Sequence, residues 1–242
     1  MDELIWIGTL VAVSDRDLRL EPGLFVTIEG PDGSGKTLVA AKLHDALAAR
    51  GIPVLLTREP GGTVVGDRVR SIVLDHVPDE PPIASRADAL LFAAGRAQHV
   101  AEVIEPALAR GHVVLCARYT DSSLAYQGYG LGLPLAEVRA LQEFATGGLR
   151  PDLTILLDLP AELGLARKQA DEQTRFEATF DLGYHRRVRE GYLLLAADEP
   201  DRFVLIDASA PVSSVVDGAL AAILRRLRLA SEPSEPRERI HS

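Results

Sequence analysis

The sequence predicts a three-layer α/β fold, in which helices flank a five-stranded parallel sheet on both faces. Five short runs of apolar, β-prone residues recur along the chain, and Ala- and Leu-rich stretches with helical spacing separate them. The runs are apolar throughout rather than alternately apolar and polar, which is typical of strands that are buried on both faces. Strands that are joined through helices run parallel. We therefore expect ligands to bind at the carboxyl ends of the strands.

Each element has a local signal. The first strand leads into a glycine-rich turn, and the helix after it is predicted to end at Gly51, with Pro53 closing the next turn. The predicted strands cover residues 24–28, 54–57, 112–116, 153–158 and 203–207. The main predicted helices cover residues 38–50, 85–110 and 212 to about 229. The sequence shows neither a second core nor a large internal repeat.

The chain divides into an appendage, one domain and a tail. Residues 1–22 contain an apolar run that lacks a basic leader and is too short to span a bilayer, so we interpret them as an N-terminal appendage packed on the domain. The pair Pro22-Gly23 marks the start of the domain, predicted at 23–230. Residues 231–242 contain two Ser-Glu-Pro repeats and are predicted to form a flexible tail.

Composition narrows the classes of function. The 26 basic and 35 acidic residues give a net charge of −9, so we expect neither nucleic acid nor a membrane as a partner. The single cysteine, Cys116, excludes an internal disulfide and a cysteine-cluster zinc site. Asparagine is absent, which excludes N-glycosylation and the Asn-Lys-x-Asp motif of GTPases. The six histidines lack metal-ligand spacing, and we expect each on the surface or on a helix.

A phosphate-binding loop follows the first strand. Residues 30–37 fit the pattern G-x-x-x-x-G-K-[ST], in which glycines let backbone N–H groups point at a phosphate and the next helix adds its positive end. Lys36 supplies a mobile charge for the outer phosphates, and Thr37 offers a hydroxyl to Mg²⁺. The predicted ATP-binding residues are Gly30, Pro31, Asp32, Gly33, Ser34, Gly35, Lys36 and Thr37.

Among proteins with this loop, a small kinase fits best. A GTPase switch needs Asp-x-x-Gly, but Asp158 is followed by Leu159, Pro160 and Ala161. A motor or transporter ATPase is usually larger or carries a signature loop that is not found here. We therefore expect a kinase that binds ATP and a second, phosphorylated substrate.

Several segments, in the correct order, resemble the thymidylate kinase family. They are Thr57-Arg58-Glu59-Pro60-Gly61-Gly62-Thr63, the helix segment Leu91-Phe92-Ala93-Ala94-Gly95-Arg96, the segment from Arg118-Tyr119 to Gln127-Gly128, and Arg150-Pro151-Asp152. The resemblance runs from about residue 24 to 229 and implies a P-loop kinase fold. It also implies transfer of the ATP γ-phosphate to dTMP, Mg²⁺ as cofactor, ATP and dTMP as ligands, a homodimer and a cytoplasmic location.

The resemblance assigns roles to individual residues. The implied substrate-binding residues are Asp32, Glu59, Arg70, Phe92, Arg96, Arg118, Ser122, Ser123, Tyr126 and Gln127, and the implied catalytic residues are Lys36, Arg118, Arg167 and Arg175. Arg70 and Arg118 suit the acceptor phosphate because guanidinium groups bind phosphate with paired donors. Phe92 would stack on thymine, with Arg96 and Ser123 at its edge. Tyr126 would exclude a ribose 2′-OH.

Asp32 would meet the 3′-OH, and Asp32 and Thr37 are the implied metal ligands. Without the resemblance, other interpretations stay open. Phe92 could be a core residue, Arg70 and Arg96 solvated helix charges, Tyr126 a packing residue and Ser122 a helix cap.

The sequence departs from the family at two places. Ala117 stands where the family has an acid before its arginine, and Thr174 stands where it has an acid before the late arginine of the lid, predicted at about 165–177. Arg167 and Arg175 are the candidates for contact with the transferred phosphate. Two alternatives therefore stay open: a divergent kinase for another pyrimidine monophosphate, or a nucleotide-binding paralogue with impaired turnover.

Overall fold

A computed structural model describes residues 23–75, 81–168 and 174–231. The predicted appendage, the tail from residue 232 and residues 169–173 of the predicted lid lie outside the described residues. Within the described ranges, no helix has both the length and the apolar character needed to cross a membrane.

The predicted parallel sheet is confirmed. Its strands are β1 (Leu24–Glu29), β2 (Val54–Arg58), β3 (Val113–Ala117), β4 (Leu153–Asp158) and β5 (Phe203–Asp207). All neighbouring strands are parallel, in the order β2-β3-β1-β4-β5. Strand β1 is central and every one of its residues is buried. Because the strand order changes direction at β1, the loop that follows it opens into the crevice where ligands bind in such sheets.

Helices cover both faces of the sheet. They are α1 (Lys36–Ala48), α2 (Val64–Leu74), α3 (Ser85–His99), α4 (Glu105–Ala109), α5 (Thr120–Ser123), α6 (Leu135–Thr146), α7 (Ala161–Arg167), α8 (Arg175–Thr179), α9 (Leu182–Asp198) and α10 (Val212–Ser231). Two π-helical segments, Val100–Ile104 and Leu124–Gly130, continue α3 and α5. The predicted helix 85–110 is therefore α3, a π-helical segment and α4.

Alternate residues of the central strand face two different cores. Val26 and Ile28 pack with α1 and α10 on one face of the sheet, in a cluster that includes Leu43 and Ile223. Phe25 belongs to a second cluster on the opposite face. A third cluster, centred on aromatic side chains of α9 and the second π-helical segment, includes Leu156 of β4 and Phe203 of β5. The inner strands β3, β1 and β4 are thus buried on both faces, as their continuous apolar runs predict. The edge strands β2 and β5 differ, because they expose Leu56 and Leu205.

Candidate active site

The phosphate-binding loop joins β1 to α1 and depends on its glycines. Gly30, Gly33 and Gly35 have φ values of 142°, 75° and 85°, which side-chain-bearing residues rarely adopt. A Cβ on Gly33 would lie 2.1 Å from the carbonyl oxygen of Gly164 in α7. Glycine therefore serves two purposes here, the curl of the loop and its close packing against a neighbouring helix.

Lys36 is folded back onto this loop. Its Nζ donates to the carbonyl oxygens of Gly30 and Pro31, at 2.9 and 2.7 Å, and to Ser34 Oγ at 3.2 Å. Burial and the nearby charge of Arg118 lower the pKa of Lys36 to about 7. A phosphate at this position would restore the stability of the charged ammonium group.

A cavity of about 740 Å³ opens above the carboxyl ends of β1, β2 and β3. Six cationic side chains and two carboxylates of the described residues line it, a formal excess of four positive charges in a chain whose net charge is −9. The cations are Lys36, Arg58, Arg70, Arg118, Arg167 and Lys168, and the acids are Asp32 and Glu59. The sequence therefore concentrates positive charge where an anion would bind.

Arg118 lies at the centre of this charge. Its backbone has a φ of 70°, the left-handed region that costs energy in a residue other than glycine. Its Nη2 pairs with the Asp32 carboxylate and also donates to Tyr126 Oη at 3.2 Å. Burial alone would raise the pKa of Asp32, but the charges of Arg118 and Lys36 lower it to about 2. The carboxylate is therefore ionised at neutral pH.

Arg58 and Arg70 complete the cationic wall. Arg70 Nη1 donates to the Pro60 carbonyl oxygen at 3.0 Å, which aims the side chain along the loop after β2. Burial, together with the charges of Arg58 and Arg118, lowers the pKa of Arg70. Mutual repulsion of this kind is relieved by a bound anion, so the three guanidinium groups are suited to a phosphate.

The opposite part of the cavity is aromatic. Phe92, Tyr126 and Phe176 line it together with Leu74. The ring of Phe176 lies edge-on to Tyr126 with centroids 5.6 Å apart, and 6.3 Å from the ring of Phe92. Flat apolar walls beside a cationic wall can take a ligand that has both a ring and a phosphate.

A buried polar network supports the wall between β2 and α3. Arg96 donates to Glu59 Oε2 at 2.7 Å, to Ser123 Oγ at 2.8 Å and to the Tyr119 carbonyl oxygen at 2.8 Å. His99 Nδ1 donates to Glu59 Oε1 at 3.0 Å. Because Arg96 is only 2% exposed, burial and these bonds fix the Glu59 carboxylate at the cavity wall.

Comparison with known proteins identifies the family. The family profile described as thymidylate kinase matches residues 28–218. The thymidylate kinase of Desulfovibrio desulfuricans is 52% identical over 215 residues, covering 84% of this chain and 97% of that protein. The thymidylate kinase of Deinococcus radiodurans is 49% identical over 207 residues, covering 86% and 99%. The crystal structure of thymidylate kinase from Ehrlichia chaffeensis has a TM-score of 0.67 at 30% identity, covering 84% and 99%.

This chain belongs to the thymidylate kinase family. The resemblance seen in the sequence is confirmed, and so is the P-loop kinase fold. Members of this family are phosphotransferases, which agrees with a phosphate-binding loop that opens into a cationic cavity.

Most of the residues that the phosphate-binding motif and the family resemblance assign lie together around the cavity. Those that line it are Asp32, Gly33, Gly35, Lys36, Thr37, Glu59, Arg70, Phe92, Arg118, Ser122, Tyr126, Gln127 and Arg167. Gly30, Pro31 and Ser34 contribute to the loop through their contacts with Lys36 instead. Arg96 and Ser123 lie behind the wall, where they hold each other and Glu59.

The two arginines of the predicted lid differ in position. Arg167 lines the cavity and donates to the Ala208 carbonyl oxygen at 3.0 Å. Arg175 is 7% exposed, pairs with the buried Asp88 and donates to the Val73 carbonyl oxygen at 2.9 Å. In this arrangement Arg167, rather than Arg175, faces the space where phosphates would meet.

The structure also brings to the site residues for which the sequence predicts no role, among them Arg58, Phe176, His99 and Asp88. Arg58 belongs to the family segment 57–63, so its position in that segment could have predicted a place at the site. Phe176 directly follows Arg175, a predicted site residue. His99 lies on a helix as expected, but it is fully buried between Thr57 and Glu59. Asp88 carries no motif, and only its three-dimensional contacts reveal it.

The donor set beside the loop suits Mg²⁺. The exposed Thr37 and the ionised Asp32 line the same cavity and offer the hydroxyl and carboxylate oxygens that Mg²⁺ prefers. A second group, Glu59, His99 and Cys116, has donor atoms within 4.8 Å of one another. Glu59 and His99 are already engaged with each other there, and burial raises the pKa of the Cys116 thiol, so this group suits a cation poorly.

Proposed function

We propose that this protein transfers the γ-phosphate of ATP to dTMP and so forms dTDP, the activity of its family. The observation that carries the proposal is the cavity in which a phosphate-binding loop, a wall of arginines and an aromatic wall meet. A phosphotransferase with a nucleoside monophosphate as acceptor needs these three surfaces in one space.

ATP is the ligand of the phosphate-binding loop in this proposal. The backbone N–H groups of residues 30–37 and the positive end of α1 bind its phosphates. Lys36 leaves the loop carbonyls that it contacts here and follows the β- and γ-phosphates. The exchange is favourable because a phosphate compensates the ammonium charge better than two carbonyl oxygens do.

The acceptor dTMP occupies the remaining part of the cavity. Arg70 and Arg118 bind its phosphate, and Phe92 stacks on its base. Tyr126 lies against the sugar, where its ring leaves no room for a 2′-OH, and Asp32 accepts from the 3′-OH. Arg96 and Ser123 lie behind the wall, so Arg96 acts on the site through the Glu59 carboxylate that it holds.

Phosphoryl transfer then needs positioning and charge neutralisation rather than a covalent enzyme intermediate. Arg118 and Arg167 face the space between the two substrates and stabilise charge on the migrating group. Thr37 and Asp32 are the residues that would hold Mg²⁺, which neutralises phosphate charge when it is bound. The acceptor phosphate attacks in line while these side chains keep it aligned.

We further propose a cytoplasmic homodimer. Helices α2 and α3 pack against each other and expose Val64, Ile72 and Leu90, which are 69%, 54% and 57% exposed. A second copy covering this face would bury these side chains. The cytoplasm supplies both ATP and dTMP, and the buried Cys116 is a free thiol. Leu90→Glu should shift the mass measured by light scattering from dimer to monomer, and an unchanged mass would place the interface elsewhere.

The decisive experiment is a coupled ADP-release assay over a panel of nucleoside monophosphates, with isothermal titration for dTMP and ATP. Turnover that is fastest with dTMP supports the proposal. Turnover that prefers another monophosphate favours a divergent kinase. Binding of both ligands without turnover favours a nucleotide-binding paralogue.

A further inference from the structure

One buried carboxylate connects two sides of the aromatic wall. Asp88 lies in the first turn of α3, one helical turn before Phe92, and it is fully buried. Its Oδ2 accepts a hydrogen bond of 2.9 Å from Gln127 Nε2, and its Oδ1 pairs with Arg175 Nη2. Asp88 itself does not line the cavity, so its influence on a ligand passes through these two residues.

The contact with Gln127 fixes the direction of an amide at the cavity wall. An ionised carboxylate accepts hydrogen bonds but cannot donate one. The Gln127 amide must therefore turn its Nε2 toward Asp88, and its Oε1 is left as the acceptor for a ligand. Gln127 is 1% exposed and lines the cavity beside the aromatic rings, so few other arrangements are open to it.

The contact with Arg175 holds Phe176 in the aromatic wall and favours the ionised state of Asp88. Burial raises the pKa of the Asp88 carboxyl, and the charge of Arg175 offsets only part of this rise. The Arg175 guanidinium lies 4.6 Å from the ring centroid of Phe176, which lines the cavity. The same ion pair thus keeps Phe176 beside Phe92 and Tyr126.

Pyrimidine rings differ at the position that such an acceptor would read. Thymine carries a hydrogen-bond donor at N3, whereas cytosine carries an acceptor there. An amide that presents Oε1 pairs with the first and repels the second. An amide that presents Nε2 has the opposite preference.

We infer that Asp88 is a specificity-determining positioning residue, which orients the Gln127 amide so that the acceptor site takes a thymine ring in preference to a cytosine ring. The inference rests on the proposed function, because it assumes that the cavity binds a pyrimidine monophosphate. Asp88 itself touches neither substrate.

Asp88→Asn tests the inference because asparagine has one acceptor and one donor. Arg175 requires the acceptor, so the amide nitrogen of the introduced asparagine faces Gln127 and turns the Gln127 amide round. We expect kcat/KM for dTMP to fall by roughly ten- to a hundred-fold, and the preference for dTMP over dCMP to narrow by about ten-fold. The KM for ATP should stay within about two-fold. The control is Glu102→Gln, which removes an exposed acid from the π-helical segment after α3. It should change neither kcat/KM for dTMP nor the preference for dTMP over dCMP.

The double variant Asp88→Asn with Gln127→Glu separates orientation from a structural role. The introduced glutamate can accept from the introduced asparagine with one carboxylate oxygen and present the other to N3–H, so the preference for dTMP should return. Asp88→Asn also leaves Arg175 without its counter-charge, and its melting temperature is measured in parallel. If Asp88→Asn does not fold, the double variant decides alone.

The outcomes distinguish the two proposals. A wild-type protein that does not phosphorylate dTMP overturns the proposed function. A wild type that does, with an Asp88→Asn variant of unchanged selectivity, overturns only the inference. A double variant that fails to fold, or that folds without regaining its preference for dTMP, also overturns it, since the hydrogen bonds that the inference requires are available there.

Discussion

Ala117 occupies a position where a single side chain can change the rate. It is the last residue of β3, lines the cavity and precedes Arg118. An aspartate there would add a carboxylate beside the arginine and the phosphates, where charge must be organised for transfer. We predict that Ala117→Asp raises kcat and lowers the Mg²⁺ concentration needed for half-maximal rate. A gain of about 1–3 kcal/mol in transition-state stabilisation corresponds to about one to two decades in rate.

The neutral control is Ala117→Asn, which adds similar volume without charge and should not reproduce the gain. Both variants are compared with the wild type in a Mg²⁺ titration of the dTMP reaction. If Ala117→Asp is no faster than a fully active wild type, Asp32 already supplies the charge that the aspartate would add.

Lys36 binds phosphate in our proposal and adds little to folding. Its ammonium group is buried against carbonyl oxygens and its pKa is lowered to about 7, so the charged form is held unfavourably without a ligand. Lys36→Ala should therefore abolish measurable turnover while the melting temperature stays near that of the wild type. Lys42→Ala, which removes an exposed lysine from the same helix, is the matched control. Near-normal kcat in Lys36→Ala would contradict the assignment of the loop.

At the scale of elements, α7 is positioned by the phosphate-binding loop. A Cβ on Gly164 would lie 2.2 Å from the Asp32 carbonyl oxygen, so α7 can approach the loop only because this residue is glycine. Gly164→Ala should push the loop out of place and raise the KM for ATP by roughly ten-fold or more, as small displacements of positioning groups do.

Gly218→Ala is the control for this prediction. Gly218 lies on α10, and the nearest atom to its added Cβ would be Ile206 Cδ1, at 3.7 Å. Because alanine is the better helix former, Gly218→Ala should leave activity unchanged and raise stability by about 0.5–1 kcal/mol. Equal KM values for ATP in the two variants would show that the loop tolerates the displacement.

The elements also show what the sequence can predict. The strands are predictable because continuous apolar runs and helical stretches alternate, and the phosphate-binding loop is predictable because its function demands glycines at fixed spacing. The predicted start of α1 is two residues late, because Lys36 and Thr37 belong to the loop motif and also form the first turn of the helix. Strands, helices and the phosphate-binding loop can therefore be predicted from residues that are close together in the sequence.

Contacts between distant elements lie beyond such patterns. Arg175 and Asp88 are 87 residues apart, and nothing near either residue predicts their ion pair or the burial of Arg175. Likewise, His99 at the end of α3 contacts Thr57 in β2 and Glu59 just after that strand. These two residues lie 42 and 40 residues earlier in the chain, and no local pattern predicts the contacts. The packing of α8 on α2 brings Arg175 to Asp88 of α3. The sequence therefore predicts most side chains of the site but not those that support them.

At the scale of the whole molecule, an acidic chain must attract two anionic substrates. The net charge of −9 repels ATP and dTMP at long range, while the excess of positive charge in the cavity attracts them at contact. At 20 Å in water each charge pair contributes about 0.2 kcal/mol, and 0.1 M salt, with a Debye length of about 10 Å, removes most of it. A pair at 4 Å near a protein surface contributes about 4 kcal/mol and is screened much less. Above 0.1 M salt the attraction of the cavity for the substrates therefore outweighs the long-range repulsion by the net charge.

We accordingly predict that the KM for dTMP rises several-fold between about 0.1 and 0.5 M KCl, with a smaller change in kcat. Arg70→Met should raise the KM at low salt and flatten its dependence on salt, because it removes one of the arginines that face the phosphate while keeping a side chain of similar length. Steady-state kinetics at fixed Mg²⁺ and ATP measure both effects. A KM that falls as KCl increases over this range would mean that repulsion by the acidic exterior outweighs the attraction of the cavity.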